Sequence, residues 1–170
     1  MKKTKLILSA LFLVMGLVAT ASEELPSIPE ICYDTVEGTQ FCTTDNEGNV
    51  KVFVYNAGWC PPCNSEMSEL SDMYPEFEGK KVTFASLSGE GFARGSKPDQ
   101  AFLKAWKKKH SIPDGFVVAG KYKDFGKAFG ASGSIPFAVV LDQSGNKVAG
   151  GFLSASSIGN KVRSLLKHED

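Results

Sequence analysis

Histidine is nearly absent from this chain, which has two, His110 and His168, beside four cysteines. A structural zinc site takes four ligands, and Cys60 and Cys63 with those two histidines make a poor set. His168 falls in the C-terminal tail. His110 follows Lys107-Lys108-Lys109 at a helix end, where a solvated basic cluster favouring the helix dipole accounts for it. Residue 64 is Asn, so the Cys60/Cys63 pair lacks the histidine that a c-type haem attachment needs. No metal site and no small cofactor is expected.

A surplus of positive charge is missing too, since 19 Lys and Arg balance 19 Asp and Glu. Three of those bases, Lys2, Lys3 and Lys5, sit in an N-terminal segment that has no acid. The rest of the chain therefore holds 16 bases against 19 acids, a net charge near −3. That leaves no electrostatic case for nucleic acid. Long apolar runs are confined to Leu6–Val18, about 13 residues against the roughly 20 that a bilayer span requires. With the lysines before it and Ala19-Thr20-Ala21 after it, residues 1–21 read as a secretory signal cleaved after Ala21. An uncleaved membrane anchor is the alternative. No cysteine stands at the cleavage site, which argues against a lipoprotein. Export implies a compartment where disulfides persist, read here as the periplasm, with no stable membrane span after cleavage. Residues 22–30, acidic and carrying Pro26 and Pro29, read as a short exposed leader. Residues 31–170 show no repeat and no low-complexity tract, and suffice for a single core.

What the chain does have is Trp59-Cys60-Pro61-Pro62-Cys63. The apolar run Val50–Tyr55 before it reads as a buried strand, and Asn64–Phe77 after it reads as a helix with Met67, Leu70, Tyr74 and Phe77 on its core face. A Cys-x-x-Cys at a strand-to-helix junction places its first sulfur among the unpaired N–H groups of the helix start, where a thiolate is stabilised. The thiolate attacks disulfides and the second thiol resolves the mixed disulfide. The pair thus predicts a dithiol–disulfide redox centre.

The coarse map alternates strands and helices. Ile31–Asp34 and Gln40–Thr43 flank Glu37-Gly38 as a hairpin. Lys81–Leu87 is a second central strand, and Ser88–Gly95 a glycine-rich loop, read first as a connector, with contact of Phe92 and Arg94 with a partner as the alternative. Ser96-x-x-Asp99 opens a helix running to about His110. Phe116–Ala119 is a strand and Tyr122–Phe129 a short helix ended by Gly130. Phe137–Leu141 and Lys147–Leu153 pair across the turn Asp142–Asn146, and Ser156–Lys167 is a last amphipathic helix. Such an order implies an α/β protein, a mixed sheet with helices on its faces.

Trp59–Cys63, with Ser134-Ile135-Pro136-Phe137-Ala138-Val139-Val140-Leu141-Asp142 further on, resembles the thioredoxin-like fold. The signal segment, the N-terminal hairpin and the helix around Ala101–Lys109 narrow the likeness to envelope thiol–disulfide oxidoreductases of the TlpA/ResA type. It covers residues 31–166. The resemblance implies that Cys60 is the exposed nucleophile and Cys63 the buried resolving thiol. It implies that Pro136 is a cis-proline beside the disulfide and that Ile135 pairs with a substrate strand. Trp59, Pro61 and Pro62 join Ile135 and Pro136 as substrate contacts. Glu66, three residues after Cys63, takes the place of an acid that such reductases often carry, able to raise the thiol pKa or relay a proton. Read by itself, Glu66 is equally an exposed carboxylate in a helix's first turn.

The chain departs from the family pattern at three places. Val54 stands where the superfamily often has a buried Asp or Asn. Asn56-Ala57-Gly58 replaces an aromatic-Ala-x run. Ser68 stands where a kinking Pro is common. Cys32 and Cys42 lie on opposite strands of the hairpin, in reach of a structural disulfide; a second redox pair, or free thiols or a bond to a partner, are the other readings. The resemblance implies a protein disulfide or dithiol as substrate and a membrane electron-transfer protein as donor. The favoured direction is reduction, with cytochrome c maturation as one process it would serve and oxidase or isomerase left open. A peroxide reductase of this fold would need Thr or Ser three residues before Cys60, where Ala57 stands. A copper-delivery relative would space its cysteines by three. An inert module would more readily have lost one cysteine.

Overall fold

The computed structural model describes residues 28–167. The signal segment 1–21, residues 22–27 of the leader and His168 lie outside the described residues. The elements are β1 (Cys32–Thr35), β2 (Gln40–Cys42), β3 (Val50–Ala57), α1 (Pro61–Met73), β4 (Val82–Glu90), α2 (Gln100–Lys109), β5 (Val117–Gly120), β6 (Phe137–Leu141), β7 (Lys147–Gly151) and α3 (Ala155–Leu166). Two 3₁₀ turns, Tyr74–Phe77 and Lys127–Phe129, complete the set.

One sheet runs β2-β1-β5-β4-β3-β6-β7. Its centre, β3, β4 and β5, is parallel, and the flanking pairs are antiparallel. All eight residues of β3 are buried, as a parallel strand covered on both faces requires. Val52 and Val54 point to one face, into a core with Met67 and Leu70 of α1, Trp106 of α2, and Ile158 and Val162 of α3. Phe53 and Tyr55 point to the other, against Phe41, Leu87, Phe129 and Phe137.

Several boundaries differ from the sequence reading, each for a local reason. Helix α1 starts at Pro61 rather than Asn64, because proline suits a first turn whose N–H groups have no helical partner. It tightens into 3₁₀ form at Tyr74, where Pro75 supplies no N–H. Ser68 bonds back to the Asn64 carbonyl, and α1 continues past it. Strand β4 extends through Glu90, since Ser88 pairs with Gly120 and Glu90 with Ala57. Helix α2 is capped by Asp99, which accepts from the Phe102 N–H at 2.9 Å, while Ser96 is spent on Ala93. The helix read over Tyr122–Phe129 is a single 3₁₀ turn. Lys123 and Gly126 have φ of 62° and 79°, and Asp124 folds back on the Gly126 N–H. Residues of the leader next to the domain are held: Ile28 packs on the second core and the Pro29 carbonyl accepts from Thr43.

Candidate active site

Strand β3 delivers Trp59 and Cys60 to the sheet's end, and α1 begins there. Cys60 is the N-cap residue, and its Sγ accepts from the Cys63 N–H at 3.3 Å. Cys60 and Cys63 are joined as a disulfide; Cys63 is fully buried as expected, but Cys60 is only 3% exposed rather than open to solvent, because Trp59, Phe125 and Ile135 close over the pair. Both pack with Ala57 against Trp59, Phe125 and Ile135. The Ile135 carbonyl oxygen lies 3.8 Å from Cys60 Sγ, and the Ile135–Pro136 peptide is cis. Five of the residues read from sequence, Trp59, Cys60, Cys63, Ile135 and Pro136, thus meet at one end of the sheet. Pro62, Glu66, Ile135 and Pro136 line one groove together with Phe152, 66% exposed, and Glu69.

Glu66 is buried, 7% exposed, rather than a solvated first-turn acid. Burial, and secondarily the charge of Glu69, push its carboxyl up to about 7. Its Oε2 has no hydrogen-bond partner among the described residues. It sits one turn beyond Cys63, on the same helix face. The site therefore holds a carboxyl poised to gain or lose a proton near neutrality.

The other side of the cysteine turn was largely hidden in the sequence. Trp59 Nε1 donates to Glu90 Oε2 at 2.6 Å. The Arg94 guanidinium lies over the Trp59 ring, 3.7 Å from its centroid. Below, Asn56 is fully buried in a polar set: its Nδ2 donates to Ser86 Oγ at 2.8 Å, its Oδ1 accepts from Ser88 Oγ at 2.6 Å, and Trp106 Nε1 donates to Ser86 Oγ at 3.1 Å. An Asn inside an apolar strand run was the one visible signal of this set.

His110 corrects the solvated-cluster reading. It is 6% exposed, edge-on to Trp106 with ring centroids 4.2 Å apart, and its Nδ1 pairs with Ser68 Oγ at 3.0 Å. Burial, then the charge of Lys109, hold its imidazole down to about 4, so it is neutral at physiological pH. Far along the sheet, Cys32 faces Cys42 directly in the β1/β2 register, and the two form a disulfide.

The strand order and the place of the cysteine pair define a thioredoxin-like protein. The match to a family model extends over residues 26–152, and the chain belongs to that family, AhpC/TSA. Among curated proteins it is similar to the sporulation thiol-disulfide oxidoreductase A of Bacillus subtilis (strain 168), 24% identical over 109 residues, 60% of this chain and 66% of that one. The matched stretch is thus just short of two thirds of that relative's length. Among solved structures, it resembles a thiol:disulfide interchange protein of the thioredoxin family from Chlorobium tepidum TLS. That likeness has a TM-score of 0.65 at 23% identity, over 81% of this chain and 94% of that one. It also resembles a secreted Mycobacterium tuberculosis disulfide oxidoreductase homologous to E. coli DsbE, with a TM-score of 0.62 at 18% identity, over 79% and 96% of the two chains. At these identities the structural likeness shows the fold.

Proposed function

We propose that this protein is a thiol–disulfide oxidoreductase that works outside the cytoplasm, in the periplasm, and reduces protein disulfides. The observation that carries the reading is the Cys60–Cys63 disulfide itself, seated at the N-cap of α1 with Ile135 against its first sulfur. The curated Bacillus relative and the Chlorobium and Mycobacterium structures bear names of this activity, and the last is called secreted. The basic and apolar start of the chain supports export. Among the described residues no helix is long and apolar enough to cross a membrane.

In the reduced enzyme the Cys60 thiolate, favoured by the helix N-terminus, attacks one sulfur of a substrate disulfide lying along Ile135-Pro136. The substrate S–S bond breaks, a Cys60–substrate bond forms, and the departing substrate thiolate takes a proton. Cys63 then loses its proton and attacks Cys60 Sγ. The mixed disulfide breaks, the second substrate thiolate leaves and is protonated, and the Cys60–Cys63 bond closes. Two electrons pass to the substrate, and a dithiol donor, by our reading a membrane protein, restores the pair. We assign to Glu66, one turn beyond Cys63 on the same helix and with its carboxyl raised to about 7 by burial, the role of taking and returning the Cys63 proton. The sulfurs carry the electrons, so the scheme calls for no cofactor. Cytochrome c maturation is a pathway this chemistry fits. A peroxide reductase is the weaker reading, because Ala57 offers no hydroxyl near Cys60. The Cys32–Cys42 bridge, which closes the β1/β2 hairpin, is read as structural.

The test is the equilibrium potential of Cys60–Cys63 with Cys32 and Cys42 in place. A value near or below about −250 mV supports the reductase, and one near about −120 mV makes the protein an oxidase. Absence of any reversible two-electron couple overturns the activity. A Cys63→Ser variant should accumulate mixed disulfides with substrate; normal turnover by that variant would sink the two-cysteine scheme.

A further inference from the structure

The Pro61-Pro62 turn divides the surface around the disulfide into two flanks, one lined by carboxyl groups and the other by cations. On the Pro62 side the groove beside Pro136 carries Glu66 and Glu69. On the Pro61 side the hollow next to Trp59 carries Lys109, and Arg94 lies over Trp59. We propose that this second flank is a docking surface for an acidic segment of the protein whose sulfur reacts at Cys60. The inference rests on the oxidoreductase reading above and adds what kind of partner it takes.

Three observations point there. Arg94 is exposed and forms no ion pair among the described residues. Its guanidinium carbon lies over the Trp59 ring, 3.7 Å from the centroid, and no hydrogen bond among the described residues engages its N–H groups. A planar guanidinium seated on an aromatic ring with its N–H groups uncommitted is suited to grip a carboxylate by two bonds. The obvious internal acid, Glu90, is engaged by the Trp59 indole at 2.6 Å and stays out of ion-pair range of Arg94. Glu90 thereby fixes the platform on which Arg94 rests.

Lys109 supplies the second charge. Its Nζ is held by Asn64 Oδ1 and stands 5.7 Å from the centre of the Phe92 ring. Phe92 is 46% exposed, yet its ring is braced edge-on by Phe102 at 4.9 Å. The flank thus joins two cations and a braced apolar ring directly beside Trp59. The rest of the chain after the signal segment has a net charge near −3, so overall electrostatics would repel an acidic partner. A preference for acid would have to come from this local patch.

The experiment uses the reduced protein and two peptide disulfides, identical except that the reacting cysteine is bordered by glutamates in one and glutamines in the other. The rate of mixed-disulfide formation is followed by tryptophan fluorescence. The acidic peptide should react roughly tenfold faster at low salt, and the advantage should fade toward onefold at about 0.5 M salt. The double reversal Arg94→Glu with Lys109→Glu should invert the ratio. Equal rates for the two peptides at low salt, or a preference that the double variant keeps, would overturn the docking surface. The wild-type ratio and its salt dependence decide the matter even if the double variant does not fold. Failure of both peptides to react at all overturns the oxidoreductase reading instead.

Discussion

Trp59 and Glu90 are joined by a 2.6 Å hydrogen bond from the indole N–H to the carboxylate, which ties the residue before the redox pair to the end of β4. Parallel pairing of Ala57 with Glu90 brings the two strand ends level. A charged acceptor makes this one of the stronger bonds in the site. Glu90→Ala should cost about 1–3 kcal/mol in urea unfolding and loosen Trp59, seen as greater acrylamide quenching. Glu90→Gln should recover most of both.

Glu66 makes stability fall with rising pH. Its folded carboxyl holds a proton up to about 7, whereas the unfolded one releases it near 4.5. The stabilisation is fully present below 4.5 and is lost as pH rises through 7, a difference on the order of 3 kcal/mol. Glu66→Gln should remove that loss, so the variant gains on wild type between pH 5 and 8 in chemical denaturation. The same variant should lose the inflection near pH 7 in the rate of disulfide exchange.

His110 acts in the opposite sense. The unfolded imidazole takes a proton near 6.5, while the folded one resists until about 4. Stability is therefore present above 6.5 and falls as the protein is acidified toward 4. The two slopes oppose each other between about pH 4.5 and 6.5, so wild type should be nearly flat there. His110→Gln should expose the Glu66 slope alone, with stability declining as pH rises. A His110→Gln profile parallel to wild type would refute the buried neutral histidine.

Gly58 has no room for a side chain. A Cβ there would lie 2.6 Å from the Phe102 ring and 2.9 Å from the Gly91 backbone. Neither can yield cheaply, since Phe102 is wedged in the core and Gly91 is main chain. Gly58→Ala should cost about 1–3 kcal/mol and shift Trp59 and Cys60 away from Ile135. A change in the Cys60–Cys63 potential together with a lower unfolding midpoint would report that displacement.

The sequence alone carried what depends on near neighbours. Helix and strand periodicity placed β3 before α1, and Cys60 and Cys63 at the junction, because a strand's burial pattern and a helix's first turn are local properties. The hairpin cysteines were legible in the same way, from the turn between them, whereas the Ile135-Pro136 pair was legible only through the resemblance to thioredoxin-like proteins. The start of α1 and the extent of β4 were misjudged by a few residues, because proline at a first turn and pairing to Gly120 are not read from periodicity. The tertiary structure alone decided which distant groups meet. Glu90 reaches Trp59, and Ser86 and Ser88 reach Asn56, only through the parallel register of β3 and β4. His110 is neutral only because α2 packs it between Trp106 and Ser68, and Glu66 is protonated near neutrality only because its helix face turns inward. Register and helix packing are set by the whole core, and charge states follow from the burial they impose.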